Sequence, residues 1–254
     1  MFSPHRFQAN RYEYKYLIDE DQAPEIRRVL SDYLVPDEYA DPARQNSYDI
    51  HSLYLDNAAH ELCRATLDGA RNRYKLRIRF YDESPTTPVF CEIKRRVNDA
   101  VAKERVAVRR DAVPRLLLTH APDRAMLWHD DTRSYETLRR FCEFCDAVGA
   151  DRGMLVSYRR EAYVSPADES VRVTLDREVA GGRFDPALRV EHFQDPLQPR
   201  IPGTILEMKF TDRFPNWMRE LVLQLNLQRR QMAKYVSCVL SHDRLTAGVL
   251  STEY

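Results

Sequence analysis

The chain has 254 residues, and its 39 Lys and Arg balance 39 Asp and Glu, for a formal net charge of +0 at pH 7. That balance removes net charge as a sign of a polyanionic partner, so any such signal must lie in where the charges sit. Five irregularly spaced cysteines, an opening MFSPHRFQAN without an apolar run, and no apolar stretch of membrane-spanning length together favour reduced thiols in a cytosol.

In chain order, NRYEYKYLI (10–18) alternates as a strand. DQAPEIRRVLSDYL follows as a helix, with Pro24 early and Ile26, Val29, Leu30 and Leu34 at helical spacing. SYDIHSLYLD (47–56), YKLRIRFY (74–81), VFCEIKRRV (89–97) and VAKERVAVR (101–109) are strand-like. Helices are expected over roughly 112–120 and 132–148. The second contains Cys142 and Cys145, a CxxC without a second pair, which is expected to be structural. Strands resume at MLVSYRREAYVS (154–165), VRVTLDREV (171–179) and TILEMKFTD (204–212). The segment 214–243 has a proline near its start and apolar residues three and four apart, which predicts one long amphipathic helix. No repeat or linker divides the chain, so a single α+β domain over 1–254, built on an antiparallel sheet, is expected.

The two-residue period of a strand then sorts the charges. Lys75, Arg77 and Arg79 share one face of YKLRIRFY, opposite Tyr74, Leu76, Ile78 and Phe80. Glu13 and Lys15, Glu92 and Lys94, Lys103 and Arg105, Tyr158 and Arg160, Arg172 and Asp176, and Glu207 and Lys209 repeat the pattern. Amphipathic helices can cover the apolar faces. The charged faces either meet water as an open sheet or a salt-bridge ladder, or face one another inside a closed barrel. Buried cations without partners are costly, and a polyanion in a water-filled lumen removes that cost. The aromatics lie mostly on the faces opposite the cations, which disfavours stacking on nucleic-acid bases and favours a ligand made of phosphate alone. Seven glycines include no Walker or GxGxxG arrangement, and GxSxG and HExxH are absent, so a phosphate site must be made from side chains.

Assembled in this order, RYEYKYLI, SLYLDN, YKLRIRFY, VFCEIKRR, SYRREAY, VRVTLD, ILEMKF and RRQMAKYV resemble the VTC domain. That domain is the polyphosphate polymerase module of the vacuolar transporter chaperone complex and a relative of the CYTH-type triphosphate tunnel metalloenzymes. The resemblance covers about residues 8–243 and implies a closed antiparallel barrel, the triphosphate tunnel fold, with a charged lumen and surrounding helices. It implies that Arg77, Arg79, Arg160 and Arg172 grip the transferred phosphates. Lys15, Lys94, Lys103, Tyr158 and Lys234 become phosphate contacts, and Lys75 and Lys209 join them from the same charged faces. Glu207 becomes the ligand of a divalent metal, Mn²⁺ or Mg²⁺. Two departures stand out. Arg11-x-Glu13-x-Lys15 replaces the ExExK of the hydrolytic relatives, and Ala233 replaces a serine before the final lysine.

Phosphoryl transfer needs positioning and charge stabilisation more than covalent help, so the lack of a Ser, Cys or His nucleophile motif fits. The resemblance implies γ-phosphate transfer from ATP to a growing inorganic polyphosphate chain. A triphosphatase and a non-catalytic polyphosphate-binding subunit are the alternatives. A cytoplasmic location is expected, reached at the inner face of a membrane through a membrane-embedded partner. The bland alternatives are a Glu207–Lys209 ion pair, Glu13 and Glu92 orienting nearby cations, solvated Arg96 and Arg105, and surface roles for Arg229 and Arg230 on the last helix.

Overall fold

A computed structural model of the protein describes residues 11–98, 100–168, 170–182, 184–190 and 201–246. The strands are β1 (Arg11–Ile18), β2 (Val35–Pro36), β3 (Ser47–Asp56), β4 (Asn72–Phe80), β5 (Val89–Val97), β6 (Ala100–Val108), β7 (Arg152–Val164), β8 (Val171–Gly182) and β9 (Thr204–Thr211). The helices are α1 (Ala23–Tyr33), α2 (Glu61–Leu67), α3 (Val113–Thr119), α4 (Thr132–Val148), α5 (Asn216–Gln224) and α6 (Lys234–Thr246). The strands follow the alternating runs to within a few residues. The short α2, whose ELCRATL holds too few turns for a clear period, has no counterpart in the sequence reading.

The strands form one large antiparallel sheet in the hydrogen-bonded order β1-β9-β8-β7-β3-β4-β5-β6, with β2 added on β7. Among the described residues that order begins at β1 and ends at β6, so the sheet is not closed and the expected closed barrel is not confirmed. No helix among the described residues is long and apolar enough to cross a membrane.

The chain folds as two compact units. One takes the described residues of Met1–Tyr48, Arg159–Glu178 and Pro202–Met232, and the other those of Asp49–Tyr158, Val179–Ile201 and Ala233–Tyr254. In the first, alternate apolar residues of β1, β8 and β9 (Tyr16, Ile18, Val173, Leu175, Leu206, Met208) pack on the Ala23–Ile26–Leu30 stripe of α1 and on Met218 and Leu221 of α5. Pro24 sits in the first turn of α1, where its missing N–H costs no helical hydrogen bond. In the second unit, Leu76, Ile78 and Phe80 of β4, Cys91 and Ile93 of β5, and Val106 and Val108 of β6 meet Leu116 of α3 and Leu138, Phe141, Cys142 and Cys145 of α4. Helix α4 starts where the Asp131 side chain accepts from Ser134 N and stops at Gly149, at φ 62°. Cys142 and Cys145 are buried core residues, and burial pushes the Cys142 thiol up to about 12.

The long C-terminal helix expected over 214–243 is instead two helices. α5 ends at Gln224, and Asn226 takes a left-handed conformation at φ 50°. The chain then runs beside β1: Arg229 bridges Tyr16, and Arg230 N donates to Lys15 O at 2.8 Å. A strand at the end of a hydrogen-bonded order exposes unsatisfied N–H and C=O groups, and this segment takes some of them. Arg229 and Arg230 are exposed, as expected, but lie outside any helix, and the Arg229 guanidinium sits 4.0 Å from the centre of the Tyr14 ring.

Candidate phosphate site

In the second unit the antiparallel register brings the charged faces of β4, β5 and β6 together row by row. Lys75 lies directly opposite Lys94, and Lys94 directly opposite Lys103. The next row is Arg77–Glu92–Arg105, and the one after it begins with Arg79 opposite Phe90. Like charges directly opposite one another destabilise a sheet. A row of three lysines therefore concentrates positive charge on this face.

Glu92 is the carboxylate at the centre of this face, only 1% exposed. It accepts from Arg77 Nε at 2.6 Å, lies 3.0 Å from Lys103 Nζ and 3.5 Å from Arg105 Nε. It therefore orients neighbouring cations, and Arg105, also stacked 3.6 Å from the Phe90 ring centre, is not simply solvated. Burial would raise the Glu92 carboxyl, but Arg77, Arg79 and Lys103 hold it at about 2. Burial, reinforced by Arg77 and Arg79, pushes Lys103 below the usual lysine range despite Glu92. The cationic groups crowd one another.

Strands β3 and β7 and helix α6 complete this cluster. Arg77 Nη1 donates to the Tyr54 hydroxyl at 3.1 Å, and Arg79 reaches Ser52 Oγ at 3.3 Å and the Tyr158 hydroxyl at 3.4 Å. Lys234, the first residue of α6, places its Nζ 4.8 Å from the centre of the Tyr158 ring. SLYLDN holds α6 in place. Buried Asp56 accepts from the backbone N–H groups of Leu62 and Cys63 at the start of α2, and from the Tyr235 hydroxyl at 3.0 Å. The Tyr235 ring stacks on Tyr54 at 4.9 Å. Of the expected site residues, Lys75, Arg77, Arg79, Lys94, Lys103, Tyr158 and Lys234 thus fall in this unit, and their strand register, rings and hydrogen bonds bring them together.

The remaining expected residues lie in the first unit, where the charges alternate in sign. Lys15 of β1 opposes Glu207 of β9, which opposes Thr174 of β8; Glu13 opposes Lys209, which opposes Arg172. Lys15 Nζ is 2.8 Å from Glu13 and 3.3 Å from Glu207, and donates to Met232 O at 3.1 Å. Burial would lower the Lys15 ammonium, but Glu207 and Glu13 together hold it above the usual lysine range. Lys209 Nζ sits 2.5 Å from Glu207, so the ion pair foreseen as the bland reading is present. Arg160 grips Asp176, which is fully buried, with two bonds of 2.6 and 2.7 Å. Arg172 donates to Asp37 Oδ2 at 2.7 Å, and the same oxygen accepts from the Tyr48 hydroxyl at 2.9 Å. This half is a salt-bridge ladder, whereas the β4–β5–β6 face carries a cation excess.

Glu207 was the expected metal ligand. Among the described residues no group of three or more His, Cys, Asp or Glu converges as a metal centre. Glu207 and Glu13 supply two carboxylates around Lys15. Two carboxylates suit a hard cation that keeps waters and completes its shell from substrate phosphates, and they do not suit a closed protein cage.

Ser52, Tyr54, Asp37, Tyr48 and Tyr235 were not singled out by the sequence. For Ser52 and Tyr54 a signal existed, since they alternate with Leu53 and Leu55 on β3. Asp37 follows the two-residue strand β2 and carries no periodic signal.

The sequence model of the VTC domain family matches residues 10–242, so the chain belongs to that family. Among curated proteins none matches. The solved structures it is similar to include the PH1819 protein of Pyrococcus horikoshii OT3, at 13% identity and a TM-score of 0.45, covering 93% of this chain and 99% of that one. Another is a Bacillus halodurans protein provisionally named an adenylate cyclase, at 11% identity and a TM-score of 0.45, covering 88% of this chain and 95% of that one. Family membership supports a function involving polyphosphate or triphosphate.

Proposed function

We propose that this VTC-domain chain is a polyphosphate polymerase, which transfers the γ-phosphate of ATP to the end of a growing inorganic polyphosphate chain. The observation that carries the reading is the Lys75–Lys94–Lys103 row beside Arg77–Glu92–Arg105, where opposed cations outnumber the carboxylate among them. A linear polyanion without bases to stack is the ligand that relieves this crowding along its length.

In this mechanism Arg77 and Arg79 offer forked donors to the non-bridging oxygens of the transferred group, and Lys75, Lys94, Lys103 and Lys234 act as point charges along the chain. Glu92 and Tyr54 hold Arg77 in place, and Ser52 and Tyr158 hold Arg79, so little reorganisation is needed as charge develops. In the first unit, Lys15, Arg160, Arg172 and Lys209 are the phosphate contacts that the family resemblance implies. The nucleophile is the terminal phosphate of the acceptor chain, so no side-chain nucleophile is required. A divalent ion, Mn²⁺ or Mg²⁺, held by Glu207 with Glu13 nearby, would when bound neutralise charge on the phosphates of ATP. Any membrane-embedded partner would take up the product.

The test is incubation with ATP and Mn²⁺ or Mg²⁺, resolving the products on a gel. A ladder of polyphosphate supports the reading. Free phosphate without chain growth replaces it with a triphosphatase, and binding of polyphosphate without turnover replaces it with a binding subunit.

A further inference from the structure

Two consecutive residues open α6, and each lies against a tyrosine ring. Lys234 places its Nζ 4.8 Å from the centre of the Tyr158 ring, and the Tyr235 ring stacks on Tyr54 at 4.9 Å with 9° between the planes. Each of those tyrosines meets one arginine of the pair on β4. The Tyr158 hydroxyl accepts from Arg79 Nη2 at 3.4 Å, and the Tyr54 hydroxyl accepts from Arg77 Nη1 at 3.1 Å. Tyr54 is also the residue directly opposite Arg77 in the β3–β4 register.

Tyr235 is itself anchored. It is buried, and its hydroxyl donates to Asp56 Oδ2 at 3.0 Å. The fully buried Asp56 also accepts from the backbone N–H groups of Asn57, Leu62 and Cys63. A carboxylate tied to three main-chain donors does not follow a side chain that moves, so the Tyr235 ring is fixed to the framework. A near-parallel stack on a fixed ring sets the plane of Tyr54, and with it the direction from which the hydroxyl meets Arg77. On its other side Arg77 Nε donates to Glu92 at 2.6 Å.

We infer that Tyr235 is a positioning residue, which acts through Tyr54 to fix the Arg77 guanidinium for phosphate. The inference rests on the proposed phosphate contact of Arg77 and deepens it, by giving the opening turn of α6 a role besides the lysine it carries. A Tyr235 that only docked α6 would affect folding and leave Arg77 in place.

The experiment measures tripolyphosphate affinity and the ultraviolet phenolate midpoint of the full chain. It compares the unmodified protein with Tyr235→Leu, Tyr235→Phe, Arg77→Ala and each Tyr235 change combined with Arg77→Ala. Val239→Ala, at another buried position of α6, is the control that loosens helix packing alone. Tyr235→Leu removes the stack and the anchor and is expected to weaken tripolyphosphate binding about tenfold, while Tyr235→Phe keeps the stack and costs about threefold. In the Arg77→Ala background neither change is expected to weaken binding further, because side chains that act as one unit are not additive. The charged groups around Tyr54 are Lys75, Arg77 and Arg79 of β4, with Glu92 of β5 on the far side of Arg77. A displaced Tyr54 ring loses those cations, so its phenolate midpoint is expected to rise from about 7 towards about 10 in Tyr235→Leu.

Additive losses overturn the inference, and so does a Val239→Ala that weakens binding as much as Tyr235→Leu. If Tyr235→Leu does not fold, Tyr235→Phe carries the same comparison with Arg77→Ala and the same midpoint. An unmodified chain that binds no tripolyphosphate overturns the proposed function. A raised midpoint in the Tyr235 variants then still supports the hold on Arg77, and an unchanged one overturns it.

Discussion

The Tyr54 hydroxyl accepts a hydrogen bond from Arg77 Nη1 at 3.1 Å, joining a buried phenol on β3 to a guanidinium on β4. Burial alone would raise this phenol, but Arg77, Arg79 and Lys75 outweigh it and bring it down to about 7. The stability contributed by its ionisation is absent below about 7, grows as pH rises, and is complete only above the ordinary phenol range near 10. Ultraviolet difference spectra are expected to show one phenolate forming with a midpoint near 7, absent in Tyr54→Phe. Bound polyphosphate competes for the same cations and raises the midpoint. A wild-type spectrum without phenolate until about pH 9 refutes the assignment.

Glu92 carries the opposite pH signature. Its folded carboxyl lies at about 2, below the free value of about 4.3, so its stabilisation is complete above the free value and lost as pH falls through about 2. Urea midpoints across that window are expected to fall more steeply in the wild type than in Glu92→Gln. At neutral pH the variant is less stable by about 3 kcal/mol, because Arg77 loses its buried partner. Equal stability at neutral pH excludes this role.

Arg160 and Lys94 were both expected to contact phosphate, yet their surroundings predict different stability effects. Arg160→Ala leaves the fully buried Asp176 without its two-bond partner and is expected to cost about 3 kcal/mol in denaturant titrations. Lys94→Ala removes the middle of three opposed lysines. It is expected to leave stability within about 0.5 kcal/mol or to raise it, while weakening tripolyphosphate binding about tenfold. A destabilised Lys94→Ala with intact binding contradicts the crowding account.

Glu207 and Arg77 are expected to differ in how far turnover separates from binding. Glu207→Ala is expected to abolish polymer formation while largely preserving polyphosphate binding, and Arg77→Ala to weaken both. Normal activity in both variants removes these residues from the site.

Gly153 tests the framework beneath the site. A Cβ there would lie 1.8 Å from Tyr54 O, because β7 passes against the backbone of β3. Gly153→Ala is expected to cost more than about 3 kcal/mol, read as a lowered urea midpoint. A midpoint matching the wild type would mean that the strands separate readily at this point.

Much of the site was legible because strand alternation is local. Lys75, Arg77 and Arg79 share a face whenever YKLRIRFY is extended, and Leu76, Ile78 and Phe80 are then directed to the core. The break after α5 was not legible. LQLNLQRRQ has no Gly or Pro, and only Asn226 marks the change, while the end strand β1 supplies the competing hydrogen bonds. Asp37 was equally hidden, since its contact with Arg172 joins positions far apart in sequence.

The sequence by itself determined which residues are cationic and which strand face each one takes, because a two-residue repeat needs no partner strand. Register was a tertiary decision. It set Lys75, Lys94 and Lys103 side by side in one unit, while in the other it placed Glu207 opposite Lys15. The physical reason is that opposition across a ladder depends on how separate strands align, and that alignment decides whether neighbouring charges repel or pair.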